Sequence, residues 1–168
     1  MQCNDVSIAS QRLSLRPFRA DDAGEAYPCI TPTLTRYMRF EPPGSEAEFE
    51  SVWRTWLPKI ASGEDITFVI RLTGSGALVG FAGLHRTQDA EPELGIWIRE
   101  SEHGHGYGGE AVKAVAGWAA AAFGRTAFIY PVAMENVPSR RIAERLGGVV
   151  VGRRDTAKYD AVVYRIPA

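Results

Sequence analysis

The sequence has 168 residues, 45% of them hydrophobic and 23% charged, with a formal net charge of −1. That length fits one domain over residues 1–168, able to bury roughly 70% of its unfolded surface. The near-neutral charge excludes bulk electrostatic capture of nucleic acid, and no stretch is long and apolar enough for a membrane span.

The opening MQCNDVSIASQR lacks the apolar core of a signal peptide. Cys3 and Cys29 show no metal-type spacing. The sequence therefore predicts a cytoplasmic protein with free thiols. Leu13 and Leu15 alternate with polar residues in RLSLRPF, and Pro17 ends this first strand. Asp22, with Glu25 three residues on, has capping-box spacing and predicts a short helix over DDAGEAY. A second helix spans PPGSEAEFESVWRTWLPKI, opened by the pair Ser45 and Glu48. Phe49, Val52, Trp53, Trp56, Leu57 and Ile60 recur at helical spacing, and Pro58 should kink or end the helix. That stripe reads first as core packing and second as a pocket wall.

ITFVIRL and ALVGFAGLH flank TGSG as a hairpin. Gly74, Gly76 and Gly80 join strand to strand, so the context of a dinucleotide-binding loop is missing. PELGIWI is a further strand with Leu94, Ile96 and Ile98 on one face. After RESEHGHGYGG a helix runs to Phe123 and is closed by Gly124. TAFIYPV is a strand. ENVPSRRIAERLGG is a helix with Asn136 near its start and Gly147 past its end, and GVVVGR and AVVYRI form the last pair of strands. The order β-α-α-β-β-β-α-β-α-β-β predicts an α/β or α+β domain with a mixed sheet.

The segment 103–109 carries the chemistry. It lies between a buried strand and a helix N-terminus, where free amides and the helix dipole suit a phosphate. Gly104, Gly106 and Gly108 let the backbone approach an anion. Lys113 falls in mid-helix, so the P-loop pattern is absent. His103 and His105 alone do not make a metal site, and no metal is expected.

HGHGYGGEA resembles the acyl-CoA pyrophosphate loop of the GCN5-related N-acetyltransferase (GNAT) superfamily, R/Q-x-x-G-x-G/A, with His103, Gly106 and Gly108 on its three fixed positions. His103 replaces the usual Arg or Gln, which should weaken side-chain support for the loop. RLSLRPFRADDAGEAY, ELGIWI and ENVPSRRIAERLG resemble the ribosomal-protein alanine N-acetyltransferase (RimJ/RimL-like) branch, with Arg145 where that branch has Lys. The resemblance implies a GNAT fold: a mostly antiparallel sheet of six to seven strands, about four helices, and splayed fourth and fifth strands. It implies acetyl-CoA (coenzyme A) as cofactor and direct transfer of an acetyl group to a primary amine, a protein N-terminus or a small molecule, with no acyl-enzyme. It also allows a homodimer.

On this resemblance the backbone of Ile96, Trp97 and Ile98 flanks the pantetheine arm, and an N–H near Ile96 or Trp97 stabilises the oxyanion. Amides of His103, Gly104, His105, Gly106, Tyr107, Gly108 and Gly109 hold the pyrophosphate. Asn136 contacts the pantetheine arm or a water. Glu93 is the first choice for the base. His85, with its intrinsic pKa near neutrality, is the second, and Glu135 a remoter one. The Tyr that many relatives place seven residues after the Asn is Ala143 here, so Ser139 is the candidate near the CoA sulfur. Ser139 could equally be a helix cap. Gly148 stands where the family has Phe. Arg36, Tyr37, Arg39 and Trp53 are candidate acceptor-lining residues. The replaced Arg and missing Tyr leave a second reading, a non-catalytic acyl-CoA-binding protein of the same fold.

Overall fold

The computed structural model describes residues 3–168. In chain order the strands and helices are β1 Ile8–Ala9, β2 Leu13–Pro17, α1 Ala23–Ala26, α2 Pro32–Thr35, α3 Glu46–Trp53, α4 Trp56–Ser62, β3 Ile66–Leu72, β4 Leu78–His85, β5 Glu93–Ile98, α5 Tyr107–Phe123, β6 Ala127–Ala133, α6 Val137–Arg145, β7 Val149–Asp155 and β8 Asp160–Pro167. They build one eight-stranded sheet in the order β1-β2-β3-β4-β5-β6-β8-β7. Every pairing is antiparallel except β5 with β6.

The strand beyond the expected six or seven is β1, only two residues long and paired with β2. Two residues are too few to show an alternating pattern. The strands expected as fourth and fifth are β5 and β6. Their contact is one bridge, Glu93 with Ile129, after which they separate. The splay is therefore real, and it opens a gap in the middle of the sheet.

Each face of the sheet carries its own core. Leu13, Leu15, Ile66, Phe68 and Leu94 pack under α5 and α6. The alanines Ala111, Ala116 and Ala119 let α5 lie close to the strands. On the other face Phe18, Phe49, Trp53, Ile60, Leu78 and Phe81 form a second cluster, reached by Trp97. The aromatic stripe of the second predicted helix is thus mainly core, and Trp53, with 8% exposure, is removed from the acceptor-lining candidates.

That helix is two helices, α3 and α4. The break falls before Pro58, not at it. Pro58 sits in the first turn of α4, where its missing N–H deprives no helical carbonyl. Its ring would crowd the carbonyl of Arg54, and α3 ends at Trp53. Ser45 caps α3 by accepting from the Glu48 amide at 3.1 Å, while Glu48 reaches Gly44 N instead of closing the box.

Asp22 does not act with Glu25 as a capping pair. It is buried, accepts from Arg16 at 2.7 and 2.8 Å and Arg71 at 3.1 Å, and also from the Arg19 amide at 2.9 Å. Burial works to raise its pKa, but the hydrogen bonds from Arg16, Arg19 and Arg71 outweigh it and hold the carboxyl below the usual range. The cluster ties β2 and β3 to the start of α1.

Candidate active site

The glycine-rich turn enters α5 as expected. Gly104 and Gly106 have φ of +82° and +79°, the left-handed region that only glycine adopts without strain. Gly108 answers a different need: a Cβ there would lie 3.0 Å from Ile142 of α6. Among the described residues, none of the amides of 104–109 donates to a protein acceptor, and the first intrahelical bond at this end runs from Glu110 N to Gly106 O. The backbone of Gly104, His105, Gly106, Tyr107, Gly108 and Gly109 thus presents a run of donors at the positive end of a 17-residue helix.

Side chains hold this cradle more firmly than the sequence suggests. His103, expected to support the loop poorly, donates from Nε2 to the Ile98 carbonyl at 2.6 Å and closes the loop onto the end of β5. His105 Nδ1 meets the Glu102 carbonyl at 3.2 Å, and its ring stacks on Tyr107. Glu110 is the residue that sequence reasoning missed. It accepts from Ser10, the Arg12 amide and the Arg12 guanidinium, each at 2.7 Å. Arg12 also donates to the His105 carbonyl at 2.9 Å and lies over the Tyr107 ring. No local pattern announces this, because Arg12 and Glu110 are far apart in sequence.

The gap between β5 and β6 opens into a small cleft of roughly 70 Å³, lined in part by Leu34, Tyr37, Met38, Gly95, Tyr130 and Ser139. A larger hollow of roughly 310 Å³ near Phe18, Arg19 and Leu57 shares no lining residue with it. Arg99 N donates to Val79 O in the ladder to β4. The alternation of an antiparallel pair then turns the Trp97 and Gly95 amides toward β4 and those of Ile96 and Ile98 toward the gap. Of the two candidate oxyanion donors, Ile96 faces the cleft. Trp97 instead packs its ring on Phe81, at 4.6 Å between centroids.

Asn136 caps α6, its Oδ1 accepting from the Ser139 amide at 3.3 Å, and it lines the cleft. Ser139 is therefore not the cap. Its hydroxyl is 2.6 Å from the hydroxyl of Tyr130, a buried residue of β6. Burial pushes Tyr130 up to about 12, against the opposing hydrogen bond from Ser139. The Tyr absent from α6 thus has a counterpart on the neighbouring strand. The two hydroxyls stand together at the cleft wall.

On the α1–α4 side of the sheet, His85 and Glu93 are cross-strand partners. Glu93 Oε2 accepts from Arg86 at 2.7 Å and from Arg154 of β7 at 2.8 Å. His85 Nδ1 faces Asp65 Oδ1 at 3.8 Å. Burial lowers the pKa of His85, with Lys59 and Arg86 adding to the effect and Asp65 and Glu93 opposing it. Glu135 lies exposed in the turn before α6.

Of the proposed acceptor-lining residues, Tyr37 borders the cleft, Arg36 lies over the Tyr37 ring, and Arg39 lies near Tyr159. The turn between β7 and β8 clasps this segment. Lys158 Nζ donates to the carbonyls of Thr35 and Phe40 at 2.8 and 3.0 Å and pairs with Glu41 at 2.8 Å.

The acetyltransferase (GNAT) domain family matches residues 12–149. No curated protein sequence matches the chain. Among solved structures, a proposed ribosomal-protein-serine acetyltransferase from Vibrio cholerae is 25% identical, with 98% of this chain and 99% of that chain covered and a TM-score of 0.81. Mycobacterium smegmatis RimJ, solved with CoA-disulfide, is 20% identical over 97% of this chain and 88% of its own, with a TM-score of 0.87. Spermidine N-acetyltransferase from Vibrio cholerae, solved with CoA and spermine, is 18% identical over 94% and 96%, with a TM-score of 0.80. The amide cradle and the open gap fit coenzyme A, and the family match spans most of the sequence: the chain belongs to the GNAT family of acetyl-CoA-dependent N-acetyltransferases.

Proposed function

We propose that the protein moves an acetyl group from acetyl-CoA directly onto a primary amine, either a protein N-terminus or a small-molecule amine. The observation that carries this reading is the gap after the lone Glu93–Ile129 bridge, with unpartnered amides at one end and titratable groups at the other. Acetyl-CoA supplies the acetyl group as an activated thioester. Within the chain, amides of 104–109 hold the pyrophosphate, and Asn136 orients the pantetheine arm. The Ile96 N–H donates to the oxygen that gains charge. Ser139, backed by the Tyr130 hydroxyl, donates toward the departing sulfur. Glu93 and His85 are the two candidates for taking the amine proton. The activity belongs in the cytoplasm, and residues 1–168 act as one domain.

The test is thiol release from acetyl-CoA with a panel of N-terminal peptides, polyamines and other primary amines. Acetylated product with at least one acceptor class is the expected result. Tight acetyl-CoA binding without thiol release from any amine would replace this reading by that of a non-catalytic acyl-CoA-binding protein. If Glu93 takes the proton, Glu93→Gln lowers kcat about 100-fold with little change in KM.

A further inference from the structure

We propose that His85 Nε2 is the atom that accepts the proton of the incoming amine, and that Asp65 and Gly83 are the residues that position it. The proposal rests on the acetyltransferase reading above and deepens it.

The geometry separates the two candidate bases. Glu93 Oε2 is already shared by two guanidinium groups, those of Arg86 and Arg154. His85 Nε2 has no protein partner among the described residues. A carboxylate beside Nδ1 favours the tautomer with its proton on that nitrogen, which leaves the Nε2 lone pair available. Asp65 is itself fixed, its Oδ1 accepting from the Arg86 amide at 2.8 Å and its Oδ2 meeting Lys59 at 3.0 Å. The groups facing the imidazole are thus Asp65 from the turn before β3, Glu93 from β5, Lys59 from α4 and Arg86 from the turn after β4.

Gly83 and Gly95 are opposed on neighbouring strands. A Cβ on Gly83 would sit 2.4 Å from His85 Nε2, and one on Gly95 would sit 3.7 Å away. The imidazole therefore occupies space that a side chain on Gly83 would take, while a Cβ on Gly95 would make only ordinary contact with it. Gly95 in turn lines the cleft, so one residue borders both the imidazole and the cleft. In the reaction the amine nitrogen bonds to the acetyl carbon, the carbon–sulfur bond breaks, the amine proton passes to Nε2, and the thiolate takes a proton to leave as free thiol. Imidazolium then returns its proton to solvent.

The experiment is the pH profile of kcat/KM for an accepted primary amine, corrected for the amine's own ionisation. Wild type should lose activity on the acidic side with a midpoint below 6.5, the ordinary value for histidine. His85→Gln should lower kcat/KM about 100-fold and remove that limb. Gly83→Ala should approach the same loss with acetyl-CoA affinity unchanged, because the new methyl meets the movable ring and not the backbone. Asp65→Asn keeps an acceptor for the Arg86 amide but removes a charge that favours imidazolium. Its acidic limb should move to lower pH and its rate fall about 10-fold. Glu93→Gln should shift the limb in the same direction without abolishing it.

An active wild type whose rate and acidic limb survive His85→Gln, or whose limb vanishes in Glu93→Gln, overturns the assignment. A wild type that releases no thiol with any amine overturns the acetyltransferase reading itself.

Discussion

The proposed cofactor end of the cleft rests on the free backbone amides of one continuous segment, 104–109. The proposed acceptor end draws the side chains of Asp65, His85, Glu93, Arg154 and Lys158 from separate turns and strands. The donors of such a backbone run need only a helix start and glycines where φ is positive, so they are written locally, whereas their bracing by Ser10 and Arg12 is not. An amine site needs charges and lone pairs at set distances, and the sheet must bring those together. In the proposed reaction the first end takes the cofactor and the second takes the amine.

The largest effect expected from disturbing one side alone is in stability. Asp22→Ala removes a buried carboxylate from Arg16, Arg71 and the Arg19 amide, while Arg71 keeps Glu25, and denaturant unfolding should show a loss of about 3 kcal/mol. Acetyl-CoA affinity of the folded fraction should stay the same, since the cluster ties α1 to the acceptor side of the sheet. The pH dependence has a definite sign. The folded pKa of Asp22 is lowered, so its contribution is complete above the unfolded value near 3.8 and is lost as pH falls through the lower folded value.

Next in size is Gly106→Val, which forces a β-branched residue into positive φ. Calorimetry should show acetyl-CoA binding weakened about 100-fold, from strain of 1–3 kcal/mol, roughly. Retained affinity would mean that the cradle is not a backbone device. Ser139→Ala should reduce kcat about 10-fold with KM for acetyl-CoA unchanged, and steady-state kinetics checks this. A kcat equal to wild type would remove Ser139 from the chemistry. The smallest effect is Lys158→Ala, which frees the segment 35–41 from the β7–β8 turn. KM for the amine should rise about 3-fold with kcat nearly constant, as expected for loss of uniform binding. A change in acetyl-CoA affinity instead would show that the two ends are not separately built.

The sequence was most legible where a periodic pattern meets its own punctuation. The end of α5 at Gly124, and α6 between Asn136 and Gly147, were marked by residues that the structure uses there. The hairpin of β3 and β4 around TGSG was equally clear. It was less legible where a local signal competes with a distant partner. Asp22 has capping spacing, yet three arginine side chains or amides from β2, β3 and the turn claim its oxygens. Ser139 stands at a helix start, yet Asn136 caps and Ser139 bonds Tyr130. The absence of Tyr at Ala143 pointed to a missing acid, and only the register of β6 beside α6 supplies Tyr130 in its neighbourhood.

What the sequence determined by itself is the order of the longer strands from β2 on, the C-terminal ends of α5 and α6, and the glycines of the amide run, because each depends on residues within a few positions of one another. Hydrophobic period, caps and positive φ are local properties of the chain. What the tertiary structure alone decided is which nitrogen or oxygen faces the cleft. The Ile96 amide is free because β5 and β6 part after one bridge. Glu93 is occupied because Arg154 arrives from β7, and His85 has room for its ring because Gly83, two residues before it, has no side chain. Those outcomes depend on strand pairing across long loops, and no spacing along the chain encodes them.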